Sequence, residues 1–316
     1  MQQRTLELAG TPIRIAFADN TLKTVSMCDE RFRGFYRPQG EAAAEIRVRA
    51  EEDLVDLSRV EPRVSRRLRE AGLSAAQVSR WLRRNRKSRP GRAAAPSIDL
   101  REGMIGVLRP RGLLLFDAPG SRCDLYLFGP ALGCLPALHE LLWIALAQLL
   151  AERGICFLHA AALAKNGEGH LFLGDSGAGK STVARNCPGC TVLSDDAPLL
   201  SADGETFRLF PSPYHQLEFE RESHPEAYRA ETRAAALFFL VQGGETRVRP
   251  LSRRQALPRL LLRDIHFLRY FSPQARRSMF ELCYRACDVL SSYELRFRER
   301  DDVWGVAVEC SAGRTP

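Results

Sequence analysis

The sequence predicts an α/β chain, α+β as a whole, in which a smaller β-rich domain precedes a domain built on a mixed sheet. Three observations carry this expectation. Short apolar runs alternate with polar residues through much of the first 130 positions, the period of half-buried strands. A glycine-rich run, GDSGAGKS from Gly174 to Ser181, follows an apolar strand and opens onto a helix-like stretch, STVARN. Asn166-Gly167, a strong two-residue hairpin turn, stands just before that strand. A hairpin inserted beside the loop-bearing strand makes the sheet mixed rather than purely parallel.

In chain order, Leu6 and Leu8 alternate, Gly10-Thr11-Pro12 turns, and Ile13, Ile15 and Phe17 alternate again. Ile46 and Val48 mark another strand. Residues 63–92 read as a basic helical insertion: a helix, Gly72, then Ser74 capping a second helix through Leu82. Pro90 to Pro96 is a loop. Strands resume at Met104–Leu108, Leu113–Phe116 and Leu125–Phe128, with turns at Arg109-Pro110 and Pro119-Gly120. This is the first domain, residues 1–130.

The second domain, 131–316, opens near Gly133 with a helix over 135–152 that has Pro136 in its first turn. One strand over 155–164 leads to the hairpin, and Leu171–Leu173 delivers the glycine-rich loop. Thr191–Leu193 is a strand ending at Asp195 and Asp196, and Leu217–Phe219, Ala236–Val241 and Val248 are further strand pieces. Pro258 predicts a break or kink in SRRQALPRLLLRD. Ser272 as N-cap and Pro273 at N1 start a helix running to about Leu290. Tyr293, Leu295 and Phe297, then an Asp301-Asp302 turn, then Trp304, Val306 and Val308, predict a terminal hairpin.

Composition sets bounds on the functional class. The chain has 316 residues, 45% hydrophobic and 27% charged, as expected of a folded soluble protein of two domains. MQQRTLELAG has no apolar secretory core. Leu135–Leu150, too short for a bilayer and interrupted by His139, Glu140 and Gln148, reads as a buried helix, so a cytoplasmic protein with no membrane partner is expected. Nine cysteines are then expected to be reduced. Cys187 and Cys190 form a C-x-x-C pair, and Cys283 and Cys287 share a helix face. They make either a four-thiolate zinc site, if the segments meet, or ordinary buried thiols. Residues 63–92 hold eleven Lys or Arg and one Glu, while the whole chain is only +8, so the basicity is local. It offers a surface to an acidic partner. Charge alone gives only non-specific affinity for nucleic acid, and no nucleic-acid partner is assigned on that basis.

The glycine-rich run fits G-x-x-x-x-G-K-[ST], the phosphate-binding P-loop. Glycines let successive backbone N–H groups turn inward without a Cβ in the way, and the dipole of the following helix favours the same anion. The candidate binding residues are Gly174, Asp175, Ser176, Gly177, Ala178, Gly179, Lys180, Ser181 and Thr182. Lys180 reaches the outer phosphates and Ser181 offers a hydroxyl to Mg²⁺. Aspartates at a strand end beside such a loop, here Asp195 and Asp196, hold metal or accept a proton; the alternative is that they cap a turn.

The segment FLHAAALAKNGEGHLFLGDSGAGKSTVARNCPGCTVLSDD resembles the catalytic domain of HPr kinase/phosphorylase. It is closer still to the HPr-kinase-related proteins of bacterial genomes and peptide-modification gene clusters. The similarity covers roughly residues 133–309; AAALFFLVQG and YELRF are weaker pieces of it. It implies a P-loop domain of the phosphoenolpyruvate-carboxykinase type and ATP-dependent, Mg²⁺-assisted transfer of a γ-phosphate to a serine of a protein or peptide. By the same resemblance Lys180 and Ser181 are the phosphate and magnesium residues. Asp195 is the general base, Asp196 its metal-linked neighbour, and His159 a histidine near the transferred phosphate. A homo-oligomer is implied too. The loop ends GKST where the bifunctional enzyme has an acidic residue. HQLEFERES, His215–Ser223, does not match the E-x-R-G-x-G type segment tied to dephosphorylation. The implication therefore stops at phosphoryl transfer from a nucleotide. A small-molecule kinase of the same fold, or a non-catalytic nucleotide-dependent regulator using the basic segment on nucleic acid, are the alternatives.

Overall fold

The structure, a computed structural model, describes the chain except residues 1, 19–21, 39, 52–73, 75, 79, 81–96, 100–104, 110, 117–120, 129–130, 215–227, 299–300 and 312–316. It is an α+β protein with two mixed sheets. The chain divides into two compact units: Met1–Glu152 with Phe267–Ala275, and Arg153–His266 with Arg276–Pro316.

In the first unit β1 (Gln2–Leu8) and β2 (Thr11–Phe17) form a hairpin. Its two turn residues are Ala9 and Gly10, at φ 48° and 71°, so Thr11 and Pro12 belong to the strand rather than to the turn. The helix α1 (Leu22–Phe32) follows. Next come β3 (Tyr36–Arg37), β4 (Ala44–Glu51), β5 (Ser97–Asp99), β6 (Ile105–Arg109), β7 (Gly112–Phe116) and β8 (Arg122–Phe128), completing a sheet of order β3-β1-β2-β4-β8-β7-β6-β5. The strand expected at Ile46 and Val48 is central, parallel to both β2 and β8.

Most of the basic segment 63–92, the Pro90–Pro96 loop, Met104 and the Pro119-Gly120 turn lie outside the described residues. Ser74 is described and caps as expected. Its hydroxyl accepts from Gln77 N–H at 3.1 Å, and Gln77 Oε1 accepts from Ser74 N–H at 2.9 Å.

The long helix α2 (Ala131–Ala151) departs from expectation in three ways. It packs on β7 and β8 of the first sheet rather than opening the second unit. It starts four residues early, so Pro136 is in its second turn, where only the bond to the Leu132 carbonyl is forfeited. Gly133–Ala151 is also long and apolar enough to cross a membrane, which corrects the shorter estimate, but most of it is buried as a core helix. Two polar ties bind Phe267–Ala275 to this helix. Buried Arg109 pairs with Glu140 at 2.7 Å and donates to the Tyr270 hydroxyl at 2.9 Å. Gln148 receives a bond from Ser272 N–H at 3.0 Å and donates to its hydroxyl at 3.0 Å.

The second unit contains β9 (Ile155–Phe157), β10 (Ala160–Lys165), β11 (Glu168–Leu173), α3 (Lys180–Arg185), β12 (Thr191–Ser194), β13 (Leu199–Asp203), β14 (Thr206–Phe210), β15 (Thr232–Gln242), β16 (Arg247–Pro250), α4 (Arg253–Arg263), α5 (Pro273–Val289), β17 (Ser291–Phe297) and α6 (Val303–Ser311). The first turn of α5 is assigned to the other unit. The sheet runs β12-β10-β11-β15-β14-β13-β9, with β17 pairing β15 and β16. Asn166 and Gly167, at φ 55° and 80°, make the expected β10–β11 hairpin. β11 runs parallel to β15, and β15 parallel to β17. Phe172 stacks on Phe238 at 5.5 Å, and Val183 of α3 with Val303 and Ala307 of α6 close the core over them.

Three expectations are corrected here, and one hairpin is added. The strand 155–164 is interrupted at Leu158 and His159. The β13–β14 hairpin was not foreseen, and Leu217–Phe219, with the whole His215–Ser223 segment, lies outside the described residues. Pro258 lies inside α4, which runs without a break between its N-cap Ser252 and its C-cap Asp264. The terminal hairpin is instead a strand and a helix. Val303, Ala307 and Cys310 are buried at helical spacing, and Asp302 caps the helix, accepting from Gly305 N–H at 2.9 Å.

Cysteine usage differs too. Cys187 and Cys190 are disulfide-bonded, so the pair closes on itself instead of remaining reduced. Cys283 and Cys287 are buried free thiols, and burial pushes the Cys287 thiol up to about 12. Four thiolates do not converge.

Candidate functional site

The site forms where β11 and β12 end, β10 begins and the turn after α4 returns. The interruption between β9 and β10 is its first element. Leu158 bridges to Ile265, His159 N–H donates to the Asp264 carbonyl at 2.6 Å, and Ala160 N–H donates to the Asp196 carbonyl at 3.2 Å. His159 is therefore fixed between a strand and two acidic residues rather than lying within one long strand.

The loop leaves β11 at Gly174. Gly179 has φ +105°, and a Cβ there would lie 2.5 Å from Cζ of buried Phe297. Both backbone and space demand glycine at this position. We expect Gly179→Ala to destabilise the fold by about 1–3 kcal/mol, read as a lower urea midpoint; an unchanged midpoint would contradict this packing. Lys180 is 7% exposed and folds back over the loop, donating to the carbonyls of Gly174 at 2.7 Å and Asp175 at 3.1 Å. Burial lowers its pKa, against the opposing pull of Asp196, Asp264, Asp175 and Asp195.

Ser194, the last residue of β12, shapes the turn that carries the aspartates. Its hydroxyl accepts from Ala197 N–H at 2.9 Å and donates to the Tyr214 carbonyl at 3.1 Å. Asp195 is 1% exposed, and its Oδ2 accepts from the Ser181 hydroxyl at 3.4 Å. Asp196 Oδ1 is 3.5 Å from His159 Nε2. The structure joins Ser181 to Asp195 and His159 to Asp196. The resemblance implies instead that the metal-linked aspartate beside Ser181 is Asp196.

Sequence reasoning missed two residues. Asp264, 1% exposed, lies beneath the loop and receives the Gly174 N–H, while its Oδ1 has no hydrogen-bond partner among the described residues. Burial pushes its pKa up to about 7, and Lys180 opposes the rise. His266 lies with its ring centroid 5.2 Å from that of His159, and its Nε2 is 3.4 Å from the Asp196 carbonyl oxygen. Burial, then the neighbouring His159, lowers its pKa to about 3. His159 is lowered as well, first by burial and then by Lys180, so both imidazoles are neutral at neutral pH. Asp264 and His266 sit in RDIH after an arginine-rich helix, with no motif spacing to mark them.

Arg263 reaches the loop, pairing with Asp175 at 3.1 Å. Arg253 is engaged by Asp288.

A buried lysine, a serine hydroxyl, two adjacent carboxylates and a neutral histidine around a glycine-rich turn are a donor set for a polyphosphate and a hard divalent cation. Ser181 and Asp195 supply hard oxygen ligands side by side. Mg²⁺ is ordinarily held by one or two such groups plus phosphate oxygens, so the residues fit that ion.

A family model described as SynChlorMet cassette protein ScmC matches residues 135–264. The matched span holds the loop, His159, both aspartates and Asp264. No curated protein matches the chain.

Proposed function

We propose that the chain is a cytoplasmic ATP-dependent phosphotransferase that passes the γ-phosphate to a hydroxyl, most simply a serine of a protein or peptide. The reading goes with the resemblance to the HPr-kinase-like serine kinases, whose P-loop domain is of the carboxykinase type, and with a homo-oligomeric state. The observation that carries it is Lys180, buried and turned onto the carbonyls of its own loop, within the field of four carboxyl groups. A cation held that way has its positive charge where outer phosphates would arrive.

In this reading the backbone of Asp175 to Lys180 and the Lys180 ammonium bind the triphosphate. Mg²⁺, held by Ser181 and Asp196, would supply charge neutralisation when bound. Asp195 accepts the proton of the attacking hydroxyl, and His159, neutral, supports the carboxylate pair. The contacts admit one variation. Ser181 meets Asp195, and the more accessible Asp196 meets His159, and in that variation the two aspartates exchange roles. The acceptor stays a hydroxyl in both.

Lys180→Ala should weaken Mg·ATP binding at least about tenfold, the worth of a charged hydrogen-bonding group, as measured by calorimetric titration. Equal affinity in wild type and variant would contradict the assignment.

A further inference from the structure

We propose that the recess at the carboxyl ends of β15 and β17 seats the base and ribose of a nucleoside triphosphate. The inference rests on the Gly174–Ser181 loop being a triphosphate cradle and extends the site to the rest of the ligand.

The recess holds about 400 Å³ and is lined by Gly179, Thr182, Gln242, Gly243, Phe297 and Arg298. That lies within the roughly 300–1,000 Å³ of small-molecule sites. Its place in the sheet is the expected one. β11, β15 and β17 are mutually parallel, with Leu173 opposite Phe239 and Gln242 opposite Phe297, so their carboxyl ends share one edge. Ligands of such sheets bind outside the carboxyl ends of the strands.

The loop gives the direction. Ser181 meets Asp195, whereas Thr182, about 100° further round α3, lines the recess. A ligand with its terminal phosphate beside Lys180, Ser181 and the aspartates, and its chain along the loop, ends in this recess. Gln242 ties the two together, donating to the Gly177 carbonyl at 2.5 Å.

The lining also suits a nucleoside. Phe297 packs against Gly179, and the Arg298 guanidinium is anchored at the rim by the Gly244 carbonyl. Phe297 is a buried apolar floor, and the exposed, planar Arg298 guanidinium is the group on which a heterocyclic base can stack. None of the six lining residues is acidic.

The test compares Mg·ATP with Mg·tripolyphosphate, which has the phosphates but no nucleoside, on the full chain. Wild type should bind ATP the more tightly. Arg298→Ala should lower ATP affinity about tenfold and leave tripolyphosphate unchanged, as loss of a stacked cation predicts. Photolabelling of wild type with an azido-adenine nucleotide should mark peptides containing Gln242 and Gly243, or Phe297 and Arg298. Equal losses for both ligands, or labelling elsewhere in the chain, would overturn the inference while leaving the loop assignment standing. Failure of wild type to bind either ligand would overturn the loop assignment, and the inference with it.

Discussion

Asp195→Asn lowers the rate of phosphoryl transfer by roughly 10²–10⁴-fold and leaves Mg·ATP affinity within a few fold of wild type. The reasoning runs from burial and position. Asp195 is held at 1% exposure on the turn that Ser194 fixes, beside the serine of the loop. Asn keeps the shape and can still accept from Ser181, but it cannot take a proton. The loss therefore falls on the chemical step and not on ATP binding. Running Asp196→Asn in parallel separates the two arrangements. If Asp196 serves the metal, its variant needs more Mg²⁺ for half-maximal rate, while Asp195→Asn does not. If the roles are exchanged, the raised Mg²⁺ requirement follows Asp195→Asn. Wild-type rates in Asp195→Asn at every Mg²⁺ concentration would remove Asp195 from the mechanism.

Asp264→Asn should stabilise the empty protein at neutral and alkaline pH while removing a pH dependence. The sign follows from the direction of the shift. The Asp264 pKa is raised by burial from 3.8 to about 7. Between those values the unfolded chain has lost a proton that the native state retains. The contribution of this group is fully present below about pH 4 and is lost as pH rises through about 7. The loss amounts to about 4 kcal/mol, at about 1.4 kcal/mol per unit. Asn retains an acceptor for the Gly174 N–H without the buried charge.

Two histidines act in the opposite sense. His170, bonded to the Ser311 hydroxyl at 2.8 Å and lowered by burial to about 4, and His266, lowered to about 3, are kept neutral in the native state. Their contribution is present above about pH 6.5 and is lost as pH falls toward those values. In wild type the single carboxyl slope partly offsets the two histidine slopes through the mildly acidic range; Asp264→Asn leaves the histidine slope alone. Urea unfolding at pH 5, 6, 7 and 8 should show the advantage of the variant growing with pH and levelling off above about 7. A difference independent of pH would contradict the burial argument.

Much of the site was legible because its residues are tied by local spacing. The GDSGAGKS run, the Asn166-Gly167 turn and the Ser194-Asp195-Asp196 strand end are each local signals, and the hairpin register brings them into one place. What the sequence could not show arrives from a distance. Asp264 and His266 join through the Leu158–Ile265 bridge, about 100 positions along the chain, and nothing in RDIH marks an acid that will be buried. The break at His159 was hidden because ICFLHAAALA is apolar enough for one strand; that bridge and the Asp264 carbonyl interrupt it. VWGVAVECS satisfies both a strand and a helix period over so short a run, and the cap at Asp302 decides it. The Pro136 and Pro258 expectations failed for one reason. A proline costs a helix one hydrogen bond and a local clash, and burial of Leu138 and Leu141, or of Ala256 and Leu260, outweighs that.

The central claim is phosphoryl transfer, and the most direct measurement is incorporation of label from γ-labelled ATP into fractions of a source-cell lysate. Wild type, Asp195→Asn and Lys180→Ala would be run side by side. The account predicts a labelled acceptor with wild type that fades in both variants. A wild-type protein that binds Mg·ATP and labels no macromolecule or small molecule in any fraction would contradict it.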